Sequence, residues 1–270
     1  MLKVFQVKLF FLVLLVAFGC SKFRKIEKSE DWRVKYEAAT SYYEKKDYYR
    51  ASVLFDQVLP IVRGLPEGER VQFYLGYCQY YDKNYLFAAE YFKTFYETYG
   101  RSASAEEARY MYAYSLYLSS PGPSLDQTES VNAMAAMQDF LNRFQTSTFR
   151  EKATEVIMAI QVKLEKKGFE NAKHYYRVRQ YKAAITSLEN FTKNFPDSKF
   201  LEEAHFLVID AEFQLAEQSI LSKQKERYEN VIEDYKNFID KYPSSERLRE
   251  AEKMYAESLE QLNRLKKINI

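Results

Sequence analysis

Glycine and proline are scarce in this chain, seven and six in 270 residues, well below the usual ~7% and ~5%. Turn residues are therefore too few for the regular strand-and-turn spacing of a β-sandwich or barrel, and the chain reads as nearly all helix. Two cysteines cannot form a disulfide framework, and two histidines cannot supply an ordinary zinc site. No glycine-rich phosphate loop, nucleophile elbow or paired-cysteine motif occurs. No residue is a catalytic candidate, no metal or cofactor is expected, and the protein is expected not to be an enzyme. Forty basic residues against 38 acidic ones leave no strong field for a nucleic acid, so none is expected as a partner. What abounds is aromatic: 24 Tyr and 20 Phe, so stability must come from packed rings and aliphatic side chains.

The N-terminus carries Lys3 and Lys8 ahead of the uncharged run Leu9–Phe18, followed by Gly19-Cys20. A run this short does not span a hydrocarbon core of ~30 Å, and the pattern is that of an export signal. Ala17, Gly19 and Cys20 resemble the lipobox of bacterial lipoproteins, in which the cysteine is acylated and the preceding peptide removed; the alternative is an ordinary signal peptide with an incidental cysteine. The expectation is a signal over 1–19, lipid on Cys20, and a flexible charged tether over 20–31. No later segment is long and apolar enough to span a membrane, so attachment is by lipid anchor alone. Ser21 and Lys22 follow the cysteine, and general lipoprotein sorting makes a non-acidic residue there compatible with the periplasmic face of the outer membrane.

The remainder repeats. Four cassettes pair an aromatic with another four residues on, then a turn and a serine: Phe95/Tyr99/Ser102, Phe140/Phe144/Ser147, Phe191/Phe195/Ser198 and Phe238/Tyr242/Ser245. The aromatic pair lies on one helix face, Pro or Gly stops the helix in three of the four, and the serine can cap the next. Seven residues ahead of each first aromatic stands Ala88, Ala133, Ala184 or Val231, with a bulky residue four further on (Phe92, Met137, Leu188, Tyr235); Ala51 and Phe55 open the series. The spacings of 37, 45, 51 and 47 residues resemble tetratricopeptide repeats. The expected fold is all-α: a right-handed superhelical solenoid of about five such hairpins. The segment 119–124 forms a longer loop in the third, a long first helix opens the fourth with Gly168 as a place for a bend, and Glu246–Lys267 caps the stack. The early tryptophan of that repeat is missing, its places holding Lys35, Gln72 and Arg109.

One constellation points to binding. Tyr36, Phe73 and Tyr110 recur at 37-residue steps, with Tyr77 and Tyr114 four residues on and Tyr43, Tyr80 and Tyr117 in register beyond them. These spacings put each set on one stripe of its helix. Rings with a polar tip suit an extended guest chain, whose backbone can meet the hydroxyls; the other reading is that the rings only glue neighbouring helices. The fourth and fifth hairpins place Phe169, Lys173 and Tyr176, then Phe206, Asp210 and Phe213, at the equivalent positions. The division is thus a client groove over 32–148 and a partner dock over 149–270. His174, His205 and Cys78 read as surface or packing residues.

With the lipid site and five hairpins, the stretch Lys163–Ala184 and the junction Asn190–Leu207, containing Phe195-Pro196-Asp197-Ser198 and Glu202-Glu203-Ala204, resemble the BamD family, the lipoprotein of the outer-membrane β-barrel assembly machine. That resemblance implies a non-catalytic outer-membrane subunit. It would capture the C-terminal strands of unfolded barrel clients through its N-terminal repeats, and bind a BamA-like barrel protein, with other assembly subunits, through its C-terminal ones. The competing class is a generic periplasmic repeat scaffold for cell-wall or secretion machinery.

Overall fold

The computed structural model describes residues 22–268; Cys20 and the signal segment lie outside the described residues. Twelve helices and no strand occur among them. Helix α1 covers 22–27. Five hairpins follow: α2 Trp32–Glu44 with α3 Tyr48–Val62, α4 Pro66–Tyr81 with α5 Tyr85–Thr98, α6 Ala105–Ser119 with α7 Thr128–Arg143, α8 Arg150–Arg177 with α9 Tyr181–Asn194, and α10 Leu201–Glu217 with α11 Leu221–Lys241; α12 Leu248–Lys267 ends the series. The fold is all-α, a tetratricopeptide-like helical solenoid, with consecutive helices as packing partners. It forms two compact units, residues 22–121 with 127–160, and residues 122–126 with 161–268. Helix α8 runs unbroken through Gly168, where an added Cβ would come within 3.1 Å of the Phe195 ring.

The repeat chemistry is visible in the packing. Ala51, Ala88, Ala133, Ala184 and Val231 have no exposed surface, and Phe55, Phe92, Met137 and Leu188 are equally buried. A methyl-sized residue on one helix lets a partner ring or isobutyl group reach the hairpin axis, which sets the close approach. Gly76 takes this furthest, because a Cβ there would sit 2.8 Å from the Phe92 ring. In the cassettes the first aromatic is buried and the second half-buried, at centroid distances of 5.4, 5.3, 5.3 and 5.2 Å.

Each cassette serine accepts a hydrogen bond from the backbone amide two residues on: Ser104 to Ser102 Oγ, Phe149 to Ser147 Oγ, Phe200 to Ser198 Oγ and Arg247 to Ser245 Oγ. The serine closes the turn leading into the helix and is not its N-cap; the N-cap positions of α6, α10 and α12 carry no side-chain cap bond. Ser102 and Ser245 also donate to Glu69 and Glu202, at 2.5 and 2.7 Å, on the first helix of the preceding hairpin. One side chain thus ties a turn to the neighbouring repeat.

Three hairpins turn through a residue with positive φ: Lys46, Lys83 and Arg179, near 60°. Lys83 N–H donates to Tyr80 O and Asn84 N–H to Gln79 O, the paired bonds of a Schellman ending. The same pair recurs after α2 and α8. Glycine is the usual occupant of that conformation, which is why these turns leave no glycine signal in the sequence.

The segment expected to be a tether is corrected from residue 22 onward. Phe23 and Ile26, one turn apart on α1, pack on the first core, with Phe23 edge-on to Tyr42 at 5.8 Å and Arg50 over its ring.

Candidate functional site

The first unit carries a groove of about 640 Å³ in which aromatic rings predominate. Helix α4 contributes Tyr77, Tyr80 and Tyr81, helix α6 contributes Tyr110, Tyr114 and Tyr117, and the far wall is Phe149 with Lys152, Glu155 and Val156 of α8. Spacings of three and four residues bring rings of one helix onto one face. Phe149 stacks on Tyr110 at 4.6 Å and Tyr110 on Tyr114 at 5.6 Å; Tyr114 then meets Tyr80 at 6.3 Å across the helix pair. Tyr80 continues to Tyr77 at 6.3 Å, and Tyr77 stacks on Tyr81 at 5.8 Å. The lining is a connected file of rings.

Of the eight ring positions singled out from sequence, the structure brings Tyr77, Tyr80, Tyr110, Tyr114 and Tyr117 together here. The other three lie elsewhere. Tyr36 packs between Trp32 and Phe55, and its hydroxyl accepts from Arg70 at 3.4 Å. Tyr43 stacks on Tyr74 at 4.3 Å and meets Tyr48 edge-on. Phe73 is held among Phe92, Phe95 and Tyr77. These three bind helix to helix. Tyr110 does both, since only 5% of it is exposed while it still lines the groove.

Sequence reasoning missed Tyr81, Phe149, Lys152 and Glu155. Tyr81 sits one residue off the stripe. The α8 residues escaped because the register of the fourth hairpin was counted from Phe169, whereas the long helix has already passed the groove by then. A signal was present in Phe149, Lys152 and Val156, which recur at helical spacing.

Burial raises the Tyr77 hydroxyl above its ordinary range, helped by its hydrogen bond to Glu107, and raises Tyr80 as well. Tyr110 is pushed up to about 12, again mainly by burial. The hydroxyls of Tyr77, Tyr80 and Tyr110 are therefore neutral at any physiological pH. Lys152 and Glu155 stand exposed at its lip and form no ion pair among the described residues. Such a lining can stack on apolar and aromatic side chains and exchange hydrogen bonds with a guest backbone.

The other residues weighed from sequence offer no site. Cys78 is a free, fully buried thiol, raised by desolvation. His205 points Nδ1 at Leu201 O and is pushed down by burial, and His174 is exposed beside Tyr175. Among the described residues no cluster of three or more His, Cys, Asp or Glu could hold a metal, and no helix is long and apolar enough to cross a membrane.

A protein of Aquifex aeolicus (strain VF5), named as an outer membrane protein assembly factor BamD, is 29% identical over 214 residues, which cover 78% of this chain and 69% of that protein. The tetratricopeptide domain of P58(IPK) aligns with 92% of this chain and 67% of its own length at 13% identity, with a TM-score of 0.38. The family model described as YfiO, outer membrane lipoprotein, matches residues 29–186 and 163–266, and the chain belongs to that family.

Proposed function

We propose that this protein is a non-catalytic, lipid-anchored subunit of outer-membrane barrel assembly, and that the tyrosine groove of its first unit holds an extended, aromatic-bearing segment of an unfolded client. The observation that carries this reading is the unbroken file of rings from Phe149 to Tyr81, all but Phe149 tipped with a hydroxyl. A guest lying on the file removes the remaining open faces of these rings from water, and each tyrosine hydroxyl can meet a backbone amide or carbonyl. Family membership and the name of the Aquifex relative support the assembly role.

In this reading Cys20 carries the lipid and the protein faces the periplasm from the outer membrane. The groove region, 32–148 extended by the first turns of α8, takes the client. The rest of 149–270 docks a BamA-like barrel protein and other assembly subunits.

The test uses a labelled peptide copying the C-terminal strand of a barrel protein. Tyr114→Ala and Tyr80→Ala should each weaken it at least fivefold with far-ultraviolet circular dichroism unchanged; affinities equal to wild type would reject the groove. Tyr110→Ala is a poorer probe, because the buried ring supports the fold. A pull-down from detergent-solubilised envelope tests the partner: recovery of the barrel protein supports the assembly role, and its absence favours a generic scaffold.

A further inference from the structure

Helix α1 is docked, and it brings the chain to one edge of the first unit. Phe23, at its start, meets Tyr42 near the end of α2, while residues 28–31 alone link its other end to the start of α2. Helix α1 therefore starts level with the α2–α3 turn, and Arg50 from the first turn of α3 lies over the Phe23 ring. Lys22 stands beside that turn. Two residues of chain reach at most ~7 Å, which keeps Cys20 close to it. A lipid on Cys20 then holds this edge at the bilayer surface.

The side chains of the edge suit that surface. The α4–α5 turn lies next to the α2–α3 turn, because Tyr48 stacks on Tyr81 at 4.5 Å. The two turns repeat each other: Lys46 and Lys83 both have positive φ, and Tyr49 and Leu86 each follow three residues later. Tyr49 is 69% exposed, Leu86 58%, and Phe87 beside it 67%. Lys45, Lys46 and Lys83 are exposed and form no ion pair among the described residues. Exposed Lys22, Arg24 and Lys25 of α1 add to them. Asp47 is already paired with Arg50 at 2.8 Å, which leaves Glu44 and Asp82 as the acids of the two turns. Lysines attract anionic headgroups, while tyrosine and aliphatic side chains enter the interface below them. Two copies of this chain meeting on the edge would instead set the same lysines against each other.

We propose that the edge formed by the α2–α3 and α4–α5 turns docks on an anionic lipid surface, with Lys45, Lys46 and Lys83 on headgroup phosphates and Tyr49, Leu86 and Phe87 in the interface. The proposal rests on the reading that Cys20 carries lipid. It adds a second contact to the acyl anchor, the combination that makes attachment firm, and it fixes which edge of the first unit faces the bilayer.

The experiment uses the mature chain with Cys20→Ser, so that the edge is measured without any acyl group. Flotation with phosphatidylcholine vesicles, with and without one third phosphatidylglycerol, should show at least tenfold stronger partition onto the anionic ones, falling as salt is added. Lys45→Gln, Lys46→Asn and Lys83→Asn together should cost at least tenfold, asparagine being at ease with the positive φ. The same loss of charge in the second unit, by Lys225→Gln, Lys236→Gln and Lys266→Gln, should cost less than threefold. Tyr49→Ser with Leu86→Ser should cost at least threefold, with circular dichroism unchanged. Equal partition onto both vesicles, or equal losses from the two lysine sets, would overturn the proposal. So would dimerisation in sedimentation that depends on Tyr49 and Leu86, since the occupant would then be a second copy. Palmitate labelling of Cys20 is read separately in the unsubstituted chain, so a failure of acylation and a failure of the edge give different results.

Discussion

Glu212 on α10 is buried in the second unit, and its Oε2 has no hydrogen-bond partner. Burial is the main influence on it, followed by repulsion from Asp234; Asn230 and Arg227 pull the other way, and Glu189 adds to the repulsion. Together they push its carboxyl from an ordinary 4.5 to about 7. The folded state therefore holds a proton that the unfolded chain releases more readily, and stability falls as pH rises from about 4.5 to about 7. At ~1.36 kcal/mol per pH unit the full loss is on the order of 3 kcal/mol. Glu212→Gln keeps the shape and removes the ionisation, so it should match wild type near pH 4.5 and exceed it by on the order of 3 kcal/mol at pH 8. At roughly 2–4 °C per kcal/mol for a chain of this size, the melting temperatures should separate by several degrees across that interval. Thermal melts followed by circular dichroism at four pH values decide it. Parallel curves for the two proteins, with a constant gap, would show that Glu212 is not the buried proton holder.

Three further outcomes can be measured. Gly76→Ala drives a methyl into the Phe92 ring, 2.8 Å away, and should cost about 1–3 kcal/mol in urea unfolding; an unchanged midpoint would mean that the ring moves freely aside. Lys83→Gly relieves a positive φ of 62° and should stabilise by about 0.5–1 kcal/mol, the strain of a side chain in that conformation exceeding glycine's added entropy cost; destabilisation in the same assay would contradict the Schellman assignment. Cys20→Ala should abolish incorporation of labelled palmitate, and a variant that still takes up label is acylated elsewhere.

Much of this architecture was legible because the repeat places small residues against large ones at fixed spacing. Ala51 with Phe55 and Ala184 with Leu188 meet no exposed surface, and a residue type that only works when buried announces its position. The cassettes were equally plain, since an aromatic pair and a turn are both local features. What escaped depended on neighbours. An i, i+4 stripe fixes the face of one helix but not what covers it, so Tyr36, Tyr43 and Phe73 looked like Tyr77 and Tyr114 although other rings lie over them. Helix α1 has one usable apolar pair, Phe23 and Ile26, too few for a period to show. Lys46, Lys83 and Arg179 carry a conformation that sequence normally signals with glycine. The α8 wall lies out of register with the other hairpins, because a helix running from Arg150 to Arg177 does not follow the common repeat length.

Tyr110 belongs at once to the interior and to the groove floor, stacked between Phe149 and Tyr114. Any molecule that presses on those outer rings leans on the same sandwich that fastens α6 to the start of α8. Occupancy and melting are then linked: a tenfold rise in free guest above its dissociation constant adds ~1.4 kcal/mol to the folded state. With the groove empty the fold should soften first at this seam, and a molecule seated in it should protect the backbone amides of α6 from exchange with solvent.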